Sequence, residues 1–280
     1  MYHRLVIRSF PMFRLSSRFS PYQNLTSYDF LKFFAVVTMV IDHIGFFFFP
    51  DLDWLRVIGR MSFPVWMFLI GYARTRDIPK SMWIGCALLL GSNIVMGEYI
   101  FPLNILALMI VMRFSLDALS RVVFKSKEGL FYSFLVFCIL GFPLYMVIEY
   151  STFGVLIVLL GYAVRHRGET CLGTWAEKIY FGAVMSVVAF SQIFIFHFLD
   201  SLAYAAFVGF MAVGVMLYHF RPQEYPVLTK KMPIVFRWVL QFCGRYSLEI
   251  YVVHVIAFAA LAMAIGNDEV EWFSPDLFFH

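Results

Sequence analysis

An all-α bundle spanning a membrane is the fold this sequence predicts, and three observations predict it. Composition is the first: 61% of the 280 residues are hydrophobic and 14% are charged, against roughly 25% charged in a soluble domain. The 34 Phe and 15 Met exceed what a soluble core of this size hides. The second is that apolar residues run in blocks approaching the ~20 residues a bilayer-crossing helix needs. Barrel strands would be shorter and alternating. The third is the alternation of basic residues from one side of these blocks to the other. In hydrocarbon the backbone must satisfy its own polar groups, so the blocks are expected to be helical.

The elements follow in order. Residues 1–28 form a basic segment with Arg4, Arg8, Arg14 and Arg18. It has no apolar core or cleavage site of a signal peptide and is expected to lie on anionic lipid at the cytoplasmic face. Nine spans are predicted within a transmembrane unit over 29–266, namely 29–49, 57–73, 82–97, 100–119, 129–148, 151–164, 179–198, 201–219 and 238–265. Pro64 is expected to kink the second, because proline removes a backbone donor and frees a carbonyl one turn earlier. Residues 267–280 form an acidic tail.

Charge placement tests this division. On the side of the N-terminus lie Arg4, Arg8, Arg14, Arg18, Arg74, Arg76, Lys80, Arg113, Arg121, Lys125, Lys127, Arg165, Arg167, Lys178, Arg221, Lys230, Lys231 and Arg237, which are 18 of the 22 basic residues. The other side holds Arg56 and is otherwise acidic, with Asp51, Asp53, Glu98, Glu149, Asp200 and the tail. An error in the number of spans would have scrambled this order. The positive-inside rule then places the N-terminus in the cytoplasm and the C-terminus outside, in the inner (plasma) membrane.

Several function classes fall away. The net charge of +4 is spent on topology and gives no nucleic-acid signature. Cys86, Cys138, Cys171 and Cys243 fit no disulfide or metal spacing. No metal constellation or glycine-rich phosphate loop stands out. What remains is a set of ionisable residues inside predicted spans: Lys32, Asp42, His43, Arg60, Arg245, Glu249 and His254. Each costs about 2.5–3.5 kcal/mol on insertion scales and marks a functional site by default.

Their spacing gives them an arrangement. Lys32 and His43 are 11 residues apart, roughly 20° beyond three turns, so they share a face about 16 Å apart. Asp42 is turned about 100° away and is better placed to orient a ring on a neighbouring helix. Arg60, in Gly59-Arg60-Met61-Ser62-Phe63-Pro64, returns to a depth like that of His43. Asn104 and the Glu149-Tyr150 pair lie at similar depth. Ser247, Tyr251 and His254 recur at i, i+4 and i+7 on one face, and Arg245 with Glu249 is an i, i+4 pair. Plainer readings stand beside these. Lys32 is a snorkelling side chain, Arg60 a structural counter-ion, Asn104 interhelical glue, His254 a packing histidine, and Arg74 and Arg76 are topology determinants.

The blocks Leu31-Lys32-x-x-Ala35-x-x-x-Met39-Val40-x-Asp42-His43-Ile44, Gly59-Arg60-x-x-Phe63-Pro64, Asn104-Ile105-Leu106, Tyr150-Ser151-x-x-Gly154-x-Leu156 and Tyr251-x-x-His254 resemble the TraX family. The resemblance runs in order over roughly residues 30–260. The Lys32-x10-His43 spacing is also similar to the first span of acyltransferase-3 membrane proteins, where the basic residue is usually Arg. TraX proteins are associated with acetylation of the N-terminus of conjugative pilin. The resemblance therefore implies acetyl transfer from acetyl-CoA to a membrane-associated acceptor: a pilin-like peptide, a lipid headgroup or a glycan. On that reading His43 is the general base and Asp42 fixes its tautomer. Arg60 or Asn104 stabilises the oxyanion, and Tyr150, Tyr251 and His254 line the cavity. Lys32, Arg74 and Arg76 hold the acetyl-CoA phosphates at the cytoplasmic mouth. No metal is expected. Two rivals remain open: a proton-coupled transporter using Lys32, Asp42, His43 and Arg60, and an inert assembly subunit.

Overall fold

The structure is a computed structural model and describes residues 24–266 and 273–278. The basic arm over 1–23 and most of the acidic tail lie outside the described residues. Among the described residues twelve helices follow in order: α1 Ser27–Phe48, α2 Asp53–Gly59, α3 Ser62–Tyr72, α4 Lys80–Val95, α5 Ile105–Val123, α6 Lys127–Tyr145, α7 Ser151–Arg165, α8 Thr174–Ile195, α9 Asp200–Tyr218, α10 Pro226–Lys231, α11 Ile234–Arg245 and α12 Ser247–Ala264. Five of them, α1, α6, α8, α9 and α12, are long and apolar enough to cross a membrane. The chain is thus a helical membrane protein.

The core is the pair α3 and α7. Neither carries a charge before Arg165 at the last residue of α7, and nearly every side chain of both is buried. Glycine makes their closeness possible. A methyl group on Gly71 would collide with the Val158 carbonyl, and one on Gly161 with the Phe68 carbonyl. Small residues that let backbones touch are how helices associate where lipid supplies no hydrophobic drive. Helices α1, α5, α6, α8 and α9 pack around this pair; α11 and α12 lie against α1 and each other, and α4 lies against α12 and α5. Outward faces are apolar, as lipid demands: Phe114, Ile139, Tyr204 and Phe194 are largely exposed.

Local chemistry sets the boundaries. Thr26 and Asp29 form a reciprocal capping box at the start of α1, and Asn104 and Ser126 cap α5 and α6. The entry to α1 is tied to α10 and the segment before it. Leu25 N–H donates to Thr229 Oγ1 at 2.8 Å, and Ser27 N–H to Gln223 O at 2.9 Å. At the other end, Ile100 and Phe101 N–H groups donate to the carbonyls of Asp276 and Leu277. The described part of the tail therefore docks on the loop after α4.

Three expectations need correction. The span over 57–73 is two helices, with the chain bent at Arg60 and Met61 between α2 and α3. The break lies one turn before Pro64, at Arg60, the residue whose carbonyl the missing proline donor leaves free, as expected of that proline. The span over 238–265 is also two helices, parted at Tyr246. Arg245 and Glu249 consequently sit on different helices. The span over 100–119 starts at Ile105, because residues 101–103 run extended beside Ile148 and Phe278.

Candidate functional site

Helix α1 carries the centre of the site. Its close crossing with α2 is set by Gly45 and Gly59: a methyl on Gly59 would strike the Asp42 Cα and Cβ, and one on Gly45 would lie 2.8 Å from Leu55 Cβ. With α2 pressed on Asp42, two arginines one turn apart reach the same carboxylate. Arg56 Nη1 is 3.0 Å from Asp42 Oδ2 and also donates to the Asp42 backbone carbonyl at 3.0 Å. Arg60 Nε lies 3.4 Å from Asp42 Oδ1. Asp42 is buried and both guanidinium-bearing side chains are nearly so. Aromatic faces replace the missing water: Arg60 sits 3.9 Å over the Phe196 ring, and Arg56 lies between Phe46 and Phe196 at 5.1 and 5.3 Å.

Arg60 also reaches across the bundle, donating from Nη1 to the Tyr150 hydroxyl at 2.9 Å. Tyr150 holds a left-handed backbone conformation, φ 61°, at the entry to α7. A non-glycine residue pays strain for that conformation. Stacking on Phe63, at 4.1 Å between ring centres, and the Arg60 bond hold it there. Next to it, Glu149 in the turn before α7 accepts from the Ile105 N–H at the start of α5, at 2.9 Å, where a helix N-terminus favours negative charge. Removal from water raises the Glu149 carboxyl above the usual range, against the pull of Arg60 and of the Ile105 N–H.

The second cluster is a pair of imidazoles. His43 Nδ1 lies 2.9 Å from the Met39 carbonyl and 3.0 Å from His254 Nε2. His254 Nδ1 in turn meets the Ile250 carbonyl at 2.5 Å. Phe47 and Tyr251 flank the pair, with ring centres 6.4 and 6.0 Å from His43. Phe258 closes on His254 at 5.4 Å. The shared face of Tyr251 and His254, read from their spacing, does meet the face of His43.

Other expected members are placed differently. Asp42 does not orient an imidazole; its carboxylate faces Arg56 and Arg60, because α2 rather than a histidine-bearing helix crosses α1 there. Asn104 is committed to structure: its Oδ1 caps α5, accepting from Ala107 N–H, and its Nδ2 donates to the Cys86 carbonyl on α4 at 3.2 Å. The Lys32 ammonium donates to the Gly244 carbonyl at 3.0 Å, joining α1 to the carbonyl end of α11, where cations are favoured. Arg76 pairs with Asp117 at 2.9 Å and with the Ala73 carbonyl. Arg74 is exposed in the same loop. Arg165 reaches this end too, 5.3 Å over the Tyr72 ring. Neither Arg74 nor Arg165 has a salt bridge to a carboxylate among the described residues.

Arg56 was read as a loop cation and is the residue that spacing should have found, since Arg56 and Arg60 stand one helical turn apart. Phe196 carried no signal at all. Two cavities lie away from the His43–His254 pair. One of about 450 Å³ is lined by Cys138, Phe142, Phe153, Phe190, Ser191 and Phe194 between α6, α7 and α8. The other, of about 290 Å³, lies between α8 and α9.

Fold and site together define a class: a polytopic helical membrane protein with a buried carboxylate–arginine centre and an imidazole pair between its first and last long helices. The TraX protein family matches residues 27–262, and the chain belongs to that family. It is also similar to an uncharacterized protein, RP591, of Rickettsia prowazekii (strain Madrid E), with 32% identity over 148 residues. That match covers 52% of this chain and 59% of the relative, so the chain spans somewhat over half of the relative's length. No solved structure matches.

Proposed function

We propose that this protein is an acetyltransferase of the inner membrane, moving an acetyl group from acetyl-CoA to an acceptor held at the membrane. Nine crossings are α1, α2 with α3, α4, α5, α6, α7, α8, α9 and α12, with the N-terminus cytoplasmic and the C-terminus outside. The observation that carries the reading is the His43–His254 contact at 3.0 Å inside the bundle, on the same stretch of α1 that anchors Arg56 and Arg60 through Asp42.

His43 takes the proton from an acceptor amine or hydroxyl as its nitrogen or oxygen attacks the thioester carbon. The carbon–sulfur bond then breaks, and the thiolate recovers that proton from the imidazolium. Tyr150 is the oxyanion donor. Its hydroxyl oxygen already accepts from Arg60, so its own hydrogen is directed elsewhere and is polarised by the guanidinium. Asn104 drops out of this role because its amide is engaged. At the cytoplasmic end Arg74 and Arg165 take the donor's phosphates, for which guanidinium groups are geometrically suited. Lys32 and Arg76 are already bound to protein groups. The acceptor is a peptide N-terminus such as that of a pilin-like protein, a lipid headgroup or a glycan.

The same imidazole contact also suits a proton relay, which supports the transporter as second reading. Calorimetry with acetyl-CoA on detergent-solubilised protein separates the two. Saturable binding is expected, weakened at least about tenfold (~1.4 kcal/mol) in Arg74→Ala/Arg165→Ala and kept in His43→Ala, which loses labelled acetyl transfer by roughly 10²–10⁴-fold. A folded, monodisperse sample that binds no acetyl-CoA but carries proton-coupled flux in proteoliposomes would overturn the transferase reading.

A further inference from the structure

We infer that His254 is a positioning residue that, together with the Met39 carbonyl, holds His43 in the Nδ1–H tautomer and so makes Nε2 of His43 the proton-accepting atom. The inference follows from counting protons between α1 and α12. A carbonyl oxygen only accepts, so the Ile250 carbonyl facing His254 Nδ1 requires a hydrogen on that nitrogen. In a neutral ring His254 Nε2 is then a bare lone pair. His43 Nδ1 faces that lone pair at 3.0 Å and the Met39 carbonyl at 2.9 Å. Both neighbours are acceptors, so His43 Nδ1 carries the hydrogen and shares it between them. The lone pair of the His43 ring is left on Nε2.

The opposite assignment fails on the same contacts. Were His254 to donate from Nε2, it would be an imidazolium, and His43 Nδ1 would turn a lone pair towards the Met39 carbonyl oxygen. The structure would then bury a cation that none of the described salt bridges neutralises. With the Nδ1–H tautomer neither cost arises.

For chemistry the consequence is directional. When Nε2 takes a proton, the new charge spreads to Nδ1–H, and the His254 lone pair is already aimed at that hydrogen. His254 thus stabilises the imidazolium without touching substrate. It occupies the place in which the sequence put Asp42. The tautomer stands on geometry alone; its role in turnover rests on the acetyltransferase reading.

The test uses full-length protein with ¹⁵N-labelled histidine in nanodiscs, the His43 signal being assigned by its loss in His43→Ala. Wild type is expected to show protonated Nδ1 and bare Nε2 at His43. In His254→Phe the Met39 carbonyl is the acceptor left to His43 Nδ1, and the Nδ1–H share of the His43 ring should fall. His254→Gln, whose amide oxygen restores an acceptor, should return it. Labelled acetyl transfer should fall about 10²–10⁴-fold in kcat in His254→Phe with little change in KM, and recover in part in His254→Gln. An Nε2–H signal at His43 in wild type, or a tautomer unchanged in His254→Phe, overturns the inference. Absence of acetyl transfer by wild type would sink the transferase reading and leave the tautomer result standing.

Discussion

Asp42 holds two guanidinium groups, and its removal is the most telling single perturbation. Side-chain exposure is 8% for Asp42, 12% for Arg56 and 11% for Arg60. The trio is therefore a buried network, where taking away one partner costs about 3–5 kcal/mol because charge is left stranded. A surface pair would cost only about 0–1 kcal/mol. For Asp42→Ala the larger figure applies. At about 2–4 °C per kcal/mol in a chain of this size class, the unfolding midpoint in detergent should drop by roughly 6–20 °C. The second mutation carries the sharper expectation. Arg56 keeps the backbone carbonyl of residue 42 and the faces of Phe46 and Phe196. Arg60 loses its only carboxylate contact among the described ion pairs. Asp42→Ala/Arg60→Met should therefore be more stable than Asp42→Ala by about 1–4 kcal/mol, as when buried ion pairs give way to apolar side chains. Tryptophan fluorescence on heating measures both. A double variant no more stable than the single, or a single variant within about 1 kcal/mol of wild type, would refute the stranded-charge account.

Lys32→Met should weaken the seam of α1 with α11 by about 1.5–3 kcal/mol, the range for a hydrogen bond to a charged group, and leave acetyl-CoA affinity unchanged; a selective loss of affinity in calorimetry would return Lys32 to the donor site. Gly71→Ala should lower the unfolding midpoint by the equivalent of at least about 1–3 kcal/mol, since the added methyl meets backbone and not a flexible side chain; an unchanged midpoint would mean that α3 and α7 separate freely. Glu149→Gln tests a titration. A carboxyl raised in the folded state binds its proton more tightly there than in the unfolded chain, so stability falls as pH rises from the unfolded value through the folded one. The variant keeps an acceptor for the Ile105 N–H and loses this slope. Its stability relative to wild type should increase with pH across that interval, and parallel melting curves would contradict the assignment.

How far the sequence could be read depended on which interactions decided each feature. Apolar block length is a local property, so the helical fold and its membrane character were legible. The face shared by Tyr251 and His254 was legible for the same reason, since helical spacing alone determines it. What escaped was set by how helices cross. Nothing local says that Gly59 brings α2 onto Asp42 instead of a histidine-bearing helix, so Asp42 was given the partner that His43 finds in His254. Lys32 and Asn104 were correctly seen as unusual polar groups. Whether such groups face a ligand or a neighbour's backbone is decided by the carbonyls of Gly244 and Cys86, each donated by a distant segment. The break at Arg60 is announced by Pro64 one turn on, whereas no proline marks the one at Tyr246.

Those two breaks have something in common with the site. The break after α2 turns Arg60 inward while α3 continues into the core. The break before α12 frees that helix from the direction of α11, whose end is pinned by Lys32. α12 can then present His254 to α1 independently of the segment before it. A single straight helix over 238–265 would have fixed the rotation of His254 to the amphipathic face of α11, whose buried side holds Leu240 and Gln241. Breaking it at Tyr246 removes that constraint. The imidazole contact at 3.0 Å thus depends on a helix interruption that no helical-wheel reading of the span contains.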